Sequence, residues 1–172
     1  MLCEKFAVGN VCYALIGSAI PLMISGGFHV DGYMDTMDAF HSYQSREKKL
    51  EILKDSHIGA FAAIMLALYY MIDIAAISEI HTQKAVSALA AVFFLARCFS
   101  GIAVMTLQPA KKEGLLYTFA SSAQKVRVKA ALYFQTVLCV VLMLLVSGWY
   151  GAAAIGAALL SFFYFKKKSY KE

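Results

Sequence analysis

Asp31, Asp35 and Asp38 recur at i, i+4 and i+7 within the stretch from Ser25 to Asp38. At about 100° per helical residue they fall at roughly 0°, 40° and −20°, which is one narrow stripe. Three like charges on one stripe repel each other and disfavour an isolated helix. A hard divalent cation is the natural compensation, because Mg2+ takes carboxylate oxygens, waters and substrate phosphates together. His29, two residues before Asp31, is close enough in sequence to orient a substrate or a water. Gly26, Gly27 and Gly32 permit turns and the close approach of a bulky ligand. The plainer alternative is a solvated acidic face in which Asp31 or Asp35 caps a helix.

What must hold this stripe in place is strongly apolar. Hydrophobic residues make up 60% of the 172, and charged residues only 16%, against about 25% in soluble domains. A span needs about 20 mostly apolar residues. Five candidates meet or approach that length: Phe6–Met23, Ile58–Ile80, Ala85–Leu107, Ala130–Ser147 and Trp149–Phe165. The last two are separated by Gly148 alone and form a tight hairpin, with Trp149 and Tyr150 at a membrane–water interface. The expected architecture is therefore an all-α polytopic membrane bundle of about five spans, one domain over residues 1–172, with the acidic motif in a connecting loop.

Charge fixes the orientation. Segments 25–57, 108–129 and the tail hold thirteen of the sixteen Lys and Arg residues, and the alternate connections are poor in them. Cytoplasmic loops carry the excess of basic residues, so the acidic motif is expected on the cytoplasmic side with the amino terminus outside. The net charge of +5 then belongs to a membrane surface and not to nucleic acid. A cleaved signal peptide over the first apolar run is disfavoured, since that run is longer than a signal core. Cys3, Cys12, Cys98 and Cys139 show no metal-binding spacing and read as reduced thiols.

Three smaller features complete the reading. Ser45 to Asp55 has the pattern of a short interfacial amphipathic helix, with Leu50 and Leu53 toward the bilayer. Asp55 or Ser56 is then placed to cap the second span, and His57 reads as a capping or interface residue and not as a metal ligand. Arg97 lies near the middle of the third span, where a cation is costly. An anion-binding role is favoured there over a structural pair with Asp73. Gln108 to Gly114 is a turn whose Lys111 and Lys112 are placed to neutralise phosphate, although topology alone would put lysines there.

These residues resemble the cobalamin synthase (adenosylcobinamide-GDP ribazoletransferase) family. Its Gly-Gly-x-His-x-Asp-Gly-x-x-Asp-Thr-x-Asp hallmark is matched by Gly26, Gly27, His29, Asp31, Gly32, Asp35, Thr36 and Asp38. Its Arg-Glu-Lys-x-Leu-Glu-Ile-x-Lys-Asp-Ser-x-Ile-Gly stretch runs here from Arg46 to Gly59. Arg97 and the turn Pro109 to Gly114 match in order after them. The resemblance implies a Mg2+-dependent transferase of the bacterial cytoplasmic (inner) membrane. It would join adenosylcobinamide-GDP to α-ribazole or its 5′-phosphate with release of GMP. Asp31, Asp35 and Asp38 would hold the metal, and one of them or His29 would take the proton. Gly26, Gly27, Gly32, Arg97, Lys111 and Glu113 would contact substrate or phosphate. The bilayer is the expected partner, no nucleic acid is expected, and a homo-oligomer is compatible with the reading. Family members are longer at both ends, so the chain is expected to be a shortened form or a fragment. The rival enzyme class, a CDP-alcohol phosphotransferase, needs an Ala-Arg and a trailing Asp pair that do not follow Asp31-Gly32. A transporter would show inverted repeats or interrupted helices.

Overall fold

The computed structural model describes residues 9–55, 57–107 and 125–171. These residues form seven helices, with no strand among them: α1 (Asn10–Ser25), α2 (Phe28–His41), α3 (Arg46–Ile52), α4 (Ala60–Ser78), α5 (Gln83–Thr106), α6 (Lys125–Ser147) and α7 (Trp149–Lys171). They divide into two compact units, Met1–Ile80 and His81–Glu172.

Among the described residues three helices are long and apolar enough to cross a membrane: α4, α5 and the Val126–Ser147 part of α6. Only 11%, 22% and 17% of their apolar windows is buried within the protein. Apolar surface left uncovered on this scale needs lipid as its solvent. The all-helical membrane architecture is as expected, but fewer helices qualify as spans than the five expected. α1 has 16 residues and qualifies only when joined to α2, with which it makes an angle of 96°. The apolar run of α7 is flanked by Trp149 and Tyr150 at one end and by Lys166, Lys167 and Lys168 at the other.

In the first unit, α4 carries α1 and α2. Tyr13 donates its hydroxyl to the carbonyl of Ile80 at 3.0 Å, and Ala14, Ser18 and Ile77 are buried where α1 meets α4. Gly17 lets the helices approach, since a Cβ there would come within 2.9 Å of Ile77 Cγ2. Nearer the start of α4, Tyr33 donates to the carbonyl of Met65 at 3.3 Å, and the rings of His41 and Phe61 stack 5.8 Å apart. Two consecutive left-handed residues, Gly26 (φ 60) and Gly27 (φ 80), separate α1 from α2. Side chains other than glycine rarely adopt that conformation, so this pair is what lets the chain turn sharply out of α1. The acidic motif is thus a helix turned away from the preceding apolar one, not a loop.

In the second unit, Leu95 of α5 and Cys139 and Met143 of α6 form a buried cluster, covered by Ala154, Ile155 and Ala158 of α7. Cys12, Cys98 and Cys139 are free thiols, as expected. Gly148 (φ 56) breaks the chain between α6 and α7, as the hairpin reading required. A Cβ on Gly151 would collide with the backbone carbonyl of Met143. Backbone cannot swing aside as a side chain can, so Gly151→Leu will lower the melting temperature in detergent, by the equivalent of about 1–3 kcal/mol for overpacking. Gly156→Ala is the control, because nothing lies within 4 Å of its added Cβ. Equal melting temperatures for the two variants would refute the close approach.

Candidate active site

The stripe expected at residues 31, 35 and 38 forms on α2. Asp31, Asp35 and Asp38 line one cavity of about 200 Å3 with Asp55, His57 and Gly59. The cavity lies between α2 and the connection from α3 into α4. Met34, Ile52, Ile58 and Ala62 supply its apolar wall.

Negative charge is concentrated there, and among the described residues no Lys or Arg lines the cavity. Partial burial, and then the neighbouring charges of Asp31 and Asp38, push the Asp35 carboxyl above its ordinary range. All three effects penalise the ionised form, and a bound cation would relieve each of them. The donors are oxygens, which suit a hard divalent ion. Among the described residues no three Asp, Glu, His or Cys side chains stand in a ready-made metal-binding group. Carboxylate oxygens are the donor chemistry that suits a cation which keeps waters and takes phosphate oxygens, as Mg2+ does.

The connection into α4 departs from expectation. Asp55 does not cap the second span: the residue before α4 is Gly59, with no side-chain cap, and Ser56 lies outside the described residues. One oxygen of Asp55 instead accepts from the backbone N–H of His57 at 3.0 Å and sits 2.5 Å from its ring Nδ1. These bonds, the side-chain one foremost, hold the Asp55 carboxyl below its ordinary range. Gly59 is in close contact too, because a Cβ there would collide with the Asp38 carboxylate.

The other expected residues are distributed as follows. His29 is half-buried with its ring edge-on to Phe28 at 5.6 Å, and it is not among the cavity's lining residues. Its position is roughly 200° around the helix from Asp31. Gly26 and Gly27 make the turn into α2, whereas Gly32 is an exposed helical residue with open space beside it. Arg97 stands on α5 in the second unit with its side chain exposed. Lys111 and Glu113 lie outside the described residues, as do Pro109, Lys112 and Gly114. Sequence reasoning missed Asp55, His57 and Gly59 as cavity residues. The available signal was the Asp-x-His-x-Gly run between the amphipathic helix and the second span.

Within the first unit the apolar helix α4 adjoins a cavity lined by four aspartates, and the apolar helices mark the chain as a helical membrane protein. The chain belongs to the cobalamin-5-phosphate synthase family, whose sequence profile matches residues 1–172. It is 42% identical to an adenosylcobinamide-GDP ribazoletransferase of Lachnoclostridium phytofermentans, over 95% of this chain and 62% of that relative. It is 30% identical to the protein of the same name from Citrobacter koseri, over 91% of this chain and 68% of the relative. For that of Escherichia coli K12 the identity is 27%, over 87% and 60%. The chain thus spans about six tenths of the length of curated relatives it matches. No solved structure is significantly similar to it.

Proposed function

We propose that this chain performs the transfer for which its relatives are named, joining adenosylcobinamide-GDP to α-ribazole or its 5′-phosphate and releasing GMP. The observation that carries the reading is the single cavity shared by Asp31, Asp35, Asp38 and Asp55. Both reactants bring phosphate or hydroxyl oxygens, and the donor carries a pyrophosphate. Such a ligand is repelled by bare carboxylates, so the cavity must bind a cation before it can bind substrate. Mg2+ held by Asp31, Asp35 and Asp38 would supply charge neutralisation at the attacking and leaving oxygens. The residues themselves supply position: α2 fixes the stripe, and the Gly26–Gly27 turn sets its angle to α1. Phosphoryl transfer rests mostly on such positioning and electrostatics.

The resemblance assigns phosphate contact to Arg97 and Lys111, with Glu113 orienting Lys111 or the groups around the metal. α6 begins and α7 ends with basic residues, on either side of the break at Gly148. That supports a multi-pass protein of the bacterial cytoplasmic membrane with its acidic cavity on the cytoplasmic side. Family membership favours this transfer over CDP-alcohol chemistry and over transport.

The test is conversion of adenosylcobinamide-GDP and α-ribazole by membranes containing this chain, with product and GMP followed by HPLC. Expected is stoichiometric GMP release that requires Mg2+ and stops with EDTA. A reporter fused near Thr36 is expected to face the cytoplasm. Membranes that contain the folded chain but yield no GMP with Mg2+ present would overturn the assignment.

A further inference from the structure

The proton of the attacking hydroxyl needs an acceptor, and the geometry of the α3–α4 connection assigns one. An ionised carboxylate can only accept hydrogen bonds. Asp55 Oδ1 lies 2.5 Å from His57 Nδ1 and 3.0 Å from the His57 backbone nitrogen. The short ring contact therefore requires the hydrogen on Nδ1, and the neutral ring then carries its lone pair on Nε2. An aspartate that fixes a histidine tautomer in this way prepares it to take a proton. We propose that His57 is the general base of the transfer and that Asp55 is its positioning residue. This rests on the transferase reading above.

Two observations and one consequence of the metal reading favour His57 over the aspartates. Asp55 is held in its ionised form by the two hydrogen bonds from His57, so it orients the ring and does not take the proton itself. Asp31, Asp35 and Asp38 would be engaged with the cation, which lowers the basicity of a carboxylate. His57 lines the same cavity and is 89% exposed, so an incoming hydroxyl can reach Nε2. The charged groups around the ring are Asp31, Asp35 and Asp38 on α2, Asp55 in its own connection, and the exposed Lys54 beside it. The family motif fixes Asp55 and leaves position 57 open, so the role is read from this chain's own side chains.

The ribose hydroxyl oxygen bonds to the phosphorus bearing the cobinamide arm, and its proton passes to His57 Nε2. The bond from that phosphorus to the oxygen bridging it to the guanosine phosphate breaks. GMP leaves with the electron pair, and the imidazolium returns its proton to water.

The experiment measures kcat and KM against pH in membranes containing the full chain. His57→Gln is expected to lower kcat by about 10²–10⁴-fold, the usual worth of general acid–base catalysis. KM for adenosylcobinamide-GDP should stay within about twofold, and the fall in rate on acidification should disappear. In His57→Gly, added imidazole should restore part of the rate. Asp55→Asn should lose activity because its amide can also donate, permitting the wrong tautomer, and Asp55→Glu should recover more than Asn does. Wild-type kcat and an unchanged pH profile in His57→Gln would overturn the assignment while leaving the transferase reading intact. No conversion by the wild-type chain would overturn both.

Discussion

Asp35→Asn is expected to lose transfer activity while gaining thermal stability when no divalent cation is present. Asp35 is the middle residue of the stripe, half-buried on α2. Burial first, then Asp31 and Asp38, push its carboxyl above the ordinary range. A raised folded-state pKa means that protonation of Asp35 favours the fold. That contribution is full below the unfolded value and is lost as pH rises through the folded one. Above the folded-state value the wild-type carboxylate is charged and the contribution is gone. Asparagine keeps the shape and is neutral at every pH, so without cation the variant melts higher than the wild type. The gap narrows on acidification, as the wild-type carboxyl takes its proton.

Added Mg2+ is expected to reverse the comparison. A ligand that binds only the folded state raises stability with its concentration relative to Kd. The wild type should gain melting temperature with Mg2+, and Asp35→Asn should gain less. The polarising role of such an ion is worth several kcal/mol, so loss of a ligand should cost on the order of 10³-fold in rate, at about 1.4 kcal/mol per tenfold. Opposite signs for stability and activity separate a ligand from a packing residue. An Asn variant that melts lower without cation and still transfers at the wild-type rate would refute the metal role of Asp35.

The stripe was legible because a helix of period 3.6 converts spacings of four and three directly into one face. Helix positions were legible too, since the apolar runs end at glycines, prolines and charged clusters. Ser147, Gly148 and Trp149 placed the hairpin tip to the residue. The angle between α1 and α2 was not legible: Gly26 and Gly27 announce freedom, and freedom has no preferred angle. Asp55 and His57 joined the site by tertiary return. α4 folds back along α2 through contacts such as Tyr33 to Met65, and the sequence distance from Asp38 to Asp55 carries no trace of that proximity. His29 shows the converse. Two residues in sequence looked close to Asp31, but the same helical period turns it toward the opposite side. Capping at Asp55 failed because its carboxylate found nearer donors on His57 than the first N–H groups of α4.

Gly59 packs against the Asp38 carboxylate, and Gly59→Ala is the prediction that tests its part in the site. Its backbone is extended (φ −78, ψ 163), so alanine meets no conformational penalty there. Space is the only obstacle, because the added Cβ would collide with the Asp38 carboxylate. A carboxylate is the free end of a flexible side chain and can rotate away, so helix content and melting temperature should stay close to the wild type. Its new rotamer takes an oxygen donor out of the cavity. Displacements of about 1 Å at a reacting centre can cost 10²-fold, and a similar loss of transfer is expected, with a higher Mg2+ requirement. Asp38→Ala should abolish the distinction: once that carboxylate is gone, adding Gly59→Ala has little further effect, as for two residues acting through one contact. A double-mutant cycle read in both kcat and Mg2+ dependence measures this coupling. Full additivity would show that Gly59 acts on something other than Asp38.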